Sequence, residues 1–333
     1  SGVFEMSRTV NTLASRRSFL AGVAAIASLG LTAPRVFAAG GLDVVATTGM
    51  IADAARIVGG DLVTVKSLMG AGVDPHAYRQ TRSDIVAMTR SDLVLWHGLY
   101  LEAQMESFFE DLGRKNKVVP VADGLPRDLL LGHEDYEGRF DPHVWMDATL
   151  WAKVVDQVRV TMTEAYPDGG DVFAARTATY IEELTALDVY TRKSLEKLLP
   201  EQRVLVTAHD AFGYFGKAYD FEVMGVQGIS TESEAGLNRI SDLVTTLVER
   251  DIHAVFVETS VSDRNMRALI EGAAARGHEV RIGGSLFSDA MGPEGTYEGT
   301  YLGMIDHNVT TIARSLGAQV PAGGRLGKLT VSS

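Results

Sequence analysis

Histidine is the residue best suited to chemistry in this 333-residue chain, and there are only eight of them. Two follow the same lead-in, Asp74-Pro75-His76 and Asp141-Pro142-His143. Proline fixes its own φ and keeps the preceding residue extended, so each histidine leaves a stiff, non-helical segment. That suits a ligand that must hold one direction. A third, His209, follows the apolar run Val204-Leu205-Val206-Thr207-Ala208, and Asp289 follows Gly283-Gly284-Ser285-Leu286-Phe287-Ser288. Imidazoles suit Zn(II) and other borderline cations, and an added carboxylate tolerates harder Mn(II). The chain has no cysteine, which removes disulfides and thiolate ligands and leaves histidine and carboxylate as the available donors. Singly, each residue has a plainer reading. A buried imidazole commonly satisfies a backbone partner, and Asp289 can cap a local turn.

The surrounding pattern shows how these groups can meet. Apolar runs at 43–47, 62–68, 93–96 and 117–121 read as strands alternating with helices at 50–58, 83–90 (capped by Ser83) and 102–112. Residues 122–140 read as a polar loop, and Asp147 caps a helix over 148–165. From 172 to 199 there is neither glycine nor proline, and Val172, Ala175, Ala178, Ile181, Leu184, Leu187 and Leu195 recur at helical spacing. Such a segment forms a rod of roughly 42 Å, long enough to join two lobes. The alternation resumes with strands at 203–207, 221–226, 254–258 and 279–282 and helices at 211–219, 237–250, 264–276 and 299–316. The expected fold is therefore α/β, two lobes each with a mostly parallel sheet flanked by helices, joined by one long connecting helix. The limits expected are 39–170 for the N-terminal lobe, 171–200 for the linking helix, 201–317 for the C-terminal lobe and 318–333 for a poorly ordered tail. In open α/β sheets ligands bind beyond the carboxyl ends of the strands. His76, His209 and Asp289 lie just past such ends and His143 precedes a helix, so all four can face one crevice, two from each lobe. His97 also ends a strand and stays ambiguous. His253, His278 and His307 read as structural, and His133-Glu134-Asp135 as a solvated charged loop.

Composition limits the partners. The net charge is −12, and no basic cluster offers a footprint for nucleic acid. The Gly-rich stretch 69–76 fits neither G-x-G-x-x-G nor the Walker pattern. Residues 1–38 carry Arg16-Arg17-Ser18-Phe19-Leu20, an apolar run to Leu31 and small residues at Ala38-Ala39, an export signal that resembles the twin-arginine type. The run is shorter than the roughly 20 apolar residues that span a bilayer. Periplasmic location is the expectation.

Longer motifs carry a specific resemblance. Val73-Asp74-Pro75-His76, Asp141-Pro142-His143-Val144-Trp145-Met146-Asp147 and Thr207-Ala208-His209-Asp210-Ala211-Phe212-Gly213-Tyr214-Phe215 stand in order along the chain. Gly228-Ile229-Ser230-Thr231-Glu232-Ser233-Glu234 and Leu286-Phe287-Ser288-Asp289-Ala290 follow them. Together they resemble the zinc/manganese periplasmic solute-binding proteins of ABC transporters over 41–316. The resemblance implies two lobes on a rigid helix, one Zn(II) or Mn(II) ion as transported ligand on His76, His143, His209 and Asp289, and a membrane permease as partner. It also implies that manganese members often carry Glu at the third position, where this chain has His209. Many zinc members carry a long His-rich loop that this chain lacks, and relatives often carry Asn where it has His97.

The expected activity is capture by a monomer, without catalysis, and with affinity falling below about pH 6 as free histidines take up protons. An exported metal-dependent hydrolase on the same site is the alternative. It needs an open coordination position and a general base, for which Asp210 or Glu232 would serve. Glu232 has a simpler expected role as a loop-fixing partner of Arg239.

Overall fold

Eight short apolar runs become the strands of two four-stranded sheets in the computed structural model, which describes residues 41–133, 137–233 and 235–330. The first sheet holds β1 (Leu42–Ala46), β2 (Val63–Ser67), β3 (Leu93–Trp96) and β4 (Val118–Pro120), in the order β2-β1-β3-β4. The second holds β5 (Val204–His209), β6 (Glu222–Gln227), β7 (Ala254–Glu258) and β8 (Arg281–Leu286), in the order β6-β5-β7-β8. Every pairing is parallel. The two sheets thus repeat one topology, and in each the strand order reverses at the first strand. A crevice opens at such a reversal, beyond the carboxyl ends of β1/β3 and of β5/β7.

Helices α1 (Gly49–Gly59), α2 (Arg82–Arg90), α3 (Glu106–Leu112), α4 (Ala148–Ala165), α6 (Gly213–Tyr219), α7 (Leu237–Glu249), α8 (Arg264–Ala275) and α9 (Tyr301–Ser315) flank the sheets. Their caps explain several starts. Asp147 accepts the Thr149 N–H at the start of α4, as expected. For α2 the cap is Thr81 and not Ser83: Thr81 and Asp84 exchange side-chain and backbone bonds in a capping box.

The connecting helix α5 (Gly170–Leu195) has 26 residues, about 39 Å at 1.5 Å per residue. It starts two residues before the expected position and ends four before it. Its buried face also differs from the expected one. Phe173, Thr177, Tyr180, Leu184, Leu187, Thr191 and Ser194 are buried, at alternating spacings of four and three, whereas Ala175 and Ala178 are exposed. Hydroxyl residues fit this stripe where they bond back to the helix, as Thr191 Oγ1 does to the Leu187 carbonyl at 2.9 Å. The stripe packs against α1, α4 and α9. One apolar core therefore runs from Leu42 and Val44 through Trp151 and Leu187 to Phe256 and Ile312, tying the lobes together.

Two further expectations need correction. β8 continues through Gly283 and Gly284 to Leu286, with a register shift at Val255/Phe256. The glycines lie in the strand because other groups crowd it: a Cβ on Gly284 would stand 2.3 Å from the Thr311 side chain. The described part of the segment after Gly317, residues 318–330, is packed against the fold. Ala318, Val320 and Leu329 are buried, Arg325 N–H bonds the Asp306 carboxylate at 2.9 Å, and Thr330 N–H bonds Glu298 at 2.7 Å. The export segment 1–38 and Glu134-Asp135 lie outside the described residues. Among the described residues, no helix is long and apolar enough to cross a membrane.

Candidate metal centre

His76, His143, His209 and Asp289 converge, and all four are buried. Each offers a ligand atom within 4.8 Å of the others. His76 Nε2 lies 3.3 Å from His143 Nε2, which lies 3.3 Å from Asp289 Oδ1, and His209 Nε2 is 3.2 Å from Asp289 Oδ2. His76 comes from the loop after β2 and His143 from the loop before α4. His209 is the last residue of β5, and Asp289 lies three residues past β8.

The supporting contacts decide which ring nitrogens face inward. His143 Nδ1 lies 2.7 Å from Asp141 Oδ1, and the same oxygen accepts the His143 backbone N–H at 2.9 Å. His209 Nδ1 lies 2.5 Å from Glu258 Oε2, while Glu258 Oε1 accepts the His209 backbone N–H at 2.9 Å. A carboxylate only accepts, so both Nδ1 atoms carry hydrogen and both Nε2 atoms face the centre, where each offers a lone pair to a cation once it gives up any proton. His209 Nε2 and Asp289 Oδ1 are buried there without a hydrogen-bond partner. Buried polar atoms left in that state are costly, and a cation between them removes the cost. The donor set therefore fits a divalent ion, with carboxylate–imidazole supports of the kind that orient metal ligands.

Electrostatics agree with a site that prefers positive charge. Burial opposes ionisation of Asp289, but His209 and then His143 outweigh it and hold the carboxyl well below its ordinary range. Burial also opposes a charge on His143, yet Asp141 and Asp289 push its pKa up to about 9. His209 is likewise driven up by Asp289 and Glu258 against burial. Burial wins at His76, whose pKa falls to about 3. In the absence of metal, protons on His143 and His209 do part of the cation's work.

The other candidates sort by contact. His97 does not enter the cluster. Its Nε2–H donates to the Pro142 carbonyl at 2.7 Å, and its ring meets Trp145 edge-on, so it holds the His143 loop from behind. The turn that places it is unusual: Gly98, Leu99 and Tyr100 all have positive φ, at 85°, 51° and 71°. Such backbone persists where its surroundings over-determine it. Glu102 accepts the His97 and Gly98 N–H groups and the Thr47 hydroxyl, and Asp123 accepts Leu99 N–H. Burial raises the Glu102 pKa to about 7. His133 is buried, contrary to the expected solvated loop. His307 binds the Ser285 carbonyl at 2.9 Å, consistent with a structural role.

Several supporting residues were not anticipated. Glu258 ends the buried strand β7, the same kind of position that singled out His209, and a carboxylate there is the signal that could have found it. Tyr214 reaches from α6 to donate to the Asp141 carbonyl at 2.8 Å, and Trp145 Nε1–H donates to the Ser288 carbonyl at 2.7 Å. The first ties helix α6 of one lobe to the His143 loop of the other, and the second ties that loop to the Asp289 loop. Glu232 does not pair with Arg239, whose guanidinium binds the Gly225 carbonyl. Glu232 accepts instead from Gln104 of the other lobe at 2.5 Å, and its neighbour Thr231 donates to Asp74 at 2.5 Å.

Comparison with known proteins follows the same lines. The family model described as "ZnuA: Zinc-uptake complex component A periplasmic" matches residues 44–315. The manganese-binding lipoprotein MntA of Bacillus subtilis is 46% identical over 276 residues, 83% of this chain and 90% of that protein. The zinc-binding protein TroA of Treponema pallidum is 45% identical over 273 residues, 82% of this chain and 88% of that protein. The solved structure of the periplasmic zinc-binding protein TroA superimposes with a TM-score of 0.81, covering 83% of this chain and 99% of that one.

Proposed function

Because the chain belongs to the family of periplasmic zinc-uptake complex components, we propose that it captures one Zn(II) or Mn(II) ion outside the cytoplasm and delivers it to the permease of an ABC transporter. The ligands in this reading are His76, His143, His209 and Asp289. The observation that carries it is the set of buried donor atoms that two lobes bring within 4.8 Å of one another. Relatives named for manganese and for zinc are almost equally similar, so the metal must be argued from the donors. Three imidazoles and one carboxylate favour zinc while admitting manganese.

Capture needs a closed ligand shell, whereas a hydrolase needs a position for water and a base beside it. Burial of all four ligands supports the former. Glu232, a carboxylate that could serve as such a base, is held by Gln104. The chain acts as a monomer, binds no nucleic acid and reaches the periplasm through the twin-arginine route, a reading supported by Arg16-Arg17 and the apolar run after them.

Elemental analysis after loading with competing Zn(II) and Mn(II) tests the assignment. Wild type is expected to retain one ion in the cleft, mostly zinc, and His209→Glu to shift the ratio toward manganese. A His76→Ala/His143→Ala variant that keeps the cleft ion would sink the ligand assignment. An unchanged ratio in His209→Glu would remove the third ligand as the source of selectivity.

A further inference from the structure

At the opposite end of the second sheet from the cleft, three more side chains meet. Asp251, His253 and His278 offer ligand atoms within 4.8 Å of one another. They come from the turns that lead α7 into β7 and α8 into β8. The two turns are built alike. Gly277 N–H bonds the Ala274 carbonyl and His278 N–H the Ala273 carbonyl, while Asp251 N–H bonds Val248 and Ile252 N–H bonds Leu247. This paired ending places one residue in the left-handed region, at φ 76° for Gly277 and 55° for Asp251. Glycine is the usual occupant. α8 has it, and α7 puts a carboxylate there instead, in a conformation that disfavours a side chain.

The ring orientations are fixed from behind. His253 Nδ1 lies 2.8 Å from the Glu279 carbonyl, and His278 Nε2 lies 2.8 Å from the Ile252 carbonyl. Each ring is thus anchored on the other's turn. Carbonyl oxygens only accept, so those nitrogens carry hydrogen, and in the neutral rings the remaining ones, His253 Nε2 and His278 Nδ1, present lone pairs. Both face Asp251 Oδ1, at 3.0 and 3.9 Å. The Glu279 carbonyl and Asp251 raise the His253 pKa, so a proton on that ring supplies the positive charge opposite the carboxylate until a cation displaces it. The side chains of Asp251 and His253 are 82% and 53% exposed, and that of His278 10%, so the cluster opens to solvent on one side.

We propose that Asp251, His253 and His278 form a second, solvent-accessible site for a borderline divalent cation such as Zn(II) or Cu(II). Two imidazole nitrogens and one carboxylate oxygen suit these ions better than Mg(II), Ca(II) or Mn(II). Water completes the coordination on the exposed side, so the ion exchanges freely, unlike one enclosed in the cleft. Strand β7 separates the two sites by roughly 17 Å, at about 3.3 Å per residue, so they fill independently. A bound ion would also pin the two turns together and stabilise the second sheet.

Zinc titration of the full chain, read by equilibrium dialysis with elemental analysis, tests this. Wild type is expected to bind two equivalents and His253→Gln/His278→Gln one, whereas His143→Ala keeps the surface equivalent. Asp251→Gly gives a sharper result, because glycine suits the left-handed turn. Its metal-free Tm is expected to equal or exceed wild type while the second equivalent binds at least tenfold more weakly. Cu(II) added to zinc-loaded protein is expected to show nitrogen hyperfine coupling in its EPR spectrum, lost in the double variant. A single zinc equivalent in wild type, or a second one indifferent to His253→Gln/His278→Gln, overturns the proposal. So does a metal-free Tm that falls in Asp251→Gly without any change in zinc binding, since the three residues would then be an ordinary imidazolium–carboxylate contact.

Discussion

The two Asp-Pro-His tripeptides begin alike and end differently. In both, the aspartate accepts the backbone N–H of the histidine two residues on, at 2.9 Å. Asp141 then uses the same oxygen to hold its own histidine ring, whereas Asp74 gives its other oxygen to Thr231 in the opposite lobe. One tripeptide is a self-contained clamp; the other is a latch that exists only when the lobes are together. His209 has a clamp of the first kind, supplied by Glu258 from the neighbouring strand. His143 and His209 are therefore aimed by groups within their own lobes, and His76 depends more on closure. A protein that must hold an ion and later release it gains from such asymmetry, because opening the lobes frees one ligand while two stay organised.

The largest effects should come from the clamped ligands themselves. Loss of a supporting partner typically costs a metal site about 10–100-fold in affinity, so His143→Ala, which removes the ligand, should exceed ~100-fold. Isothermal titration with zinc would show this. Glu258→Gln should fall within the ~10–100-fold range, because an amide nitrogen cannot accept the second of the two hydrogens that Glu258 takes on separate oxygens. Asp141→Asn, which keeps its one accepting oxygen and loses only the charge, should fall toward the low end of that range. Asp74→Asn should cost less than either. Equal losses for Asp74→Asn and Asp141→Asn would erase the distinction between clamp and latch.

Acidity probes the same centre more gently. Burial opposes protonation of His143, but Asp141 and Asp289 raise its pKa to about 9. A raised pKa means that the protonated ring stabilises the metal-free fold fully below about 6.5, and that this contribution is lost as pH rises through about 9. Zinc affinity must run the other way, because binding expels that proton. From pH 6.5 to 9 the metal-free Tm should fall, by an amount equivalent to up to about 3 kcal/mol, while affinity rises. The window lies above the pH 6 expected from free histidines. Paired thermal scans of metal-free and zinc-loaded protein would test it; a Tm gap that narrows with pH would contradict this account.

How much of this could be read beforehand depends on the kind of signal. The lobes, the rod and the four convergent side chains follow from apolar runs, glycine and proline punctuation and strand-end placement, all of them local. The face of α5 did not follow. Its buried stripe includes Thr177, Tyr180, Thr191 and Ser194, and a search for apolar residues alone selects Ala175 and Ala178, which face solvent. Glu258 was missed for a different reason: its value comes from a partner 49 residues away on an adjacent strand, a relation set by sheet order. The Glu232–Gln104 and Thr231–Asp74 contacts depend on how the lobes meet. No local pattern contains that.

The smallest predicted effect is the most discriminating for the latch. Thr231→Val keeps the shape of the side chain and removes the hydroxyl that donates to Asp74 Oδ2. Hydrogen bonds to charged groups are worth about 1.5–3 kcal/mol when fully buried, and this one is only partly so. Metal affinity feels only the share that differs between open and closed lobes. Taking that share as about 1 kcal/mol gives roughly fivefold faster release. Association should change less, since affinity differences among variants of one site reside mainly in the off-rate. Stopped-flow transfer of zinc to a chelator would measure it. If release is unchanged while the metal-free Tm drops, Thr231 and Asp74 are joined in both states, and the contact is a fixed strut. Asp74 would then have to be regarded as a second clamp, one that grips the opposite lobe instead of its own ring.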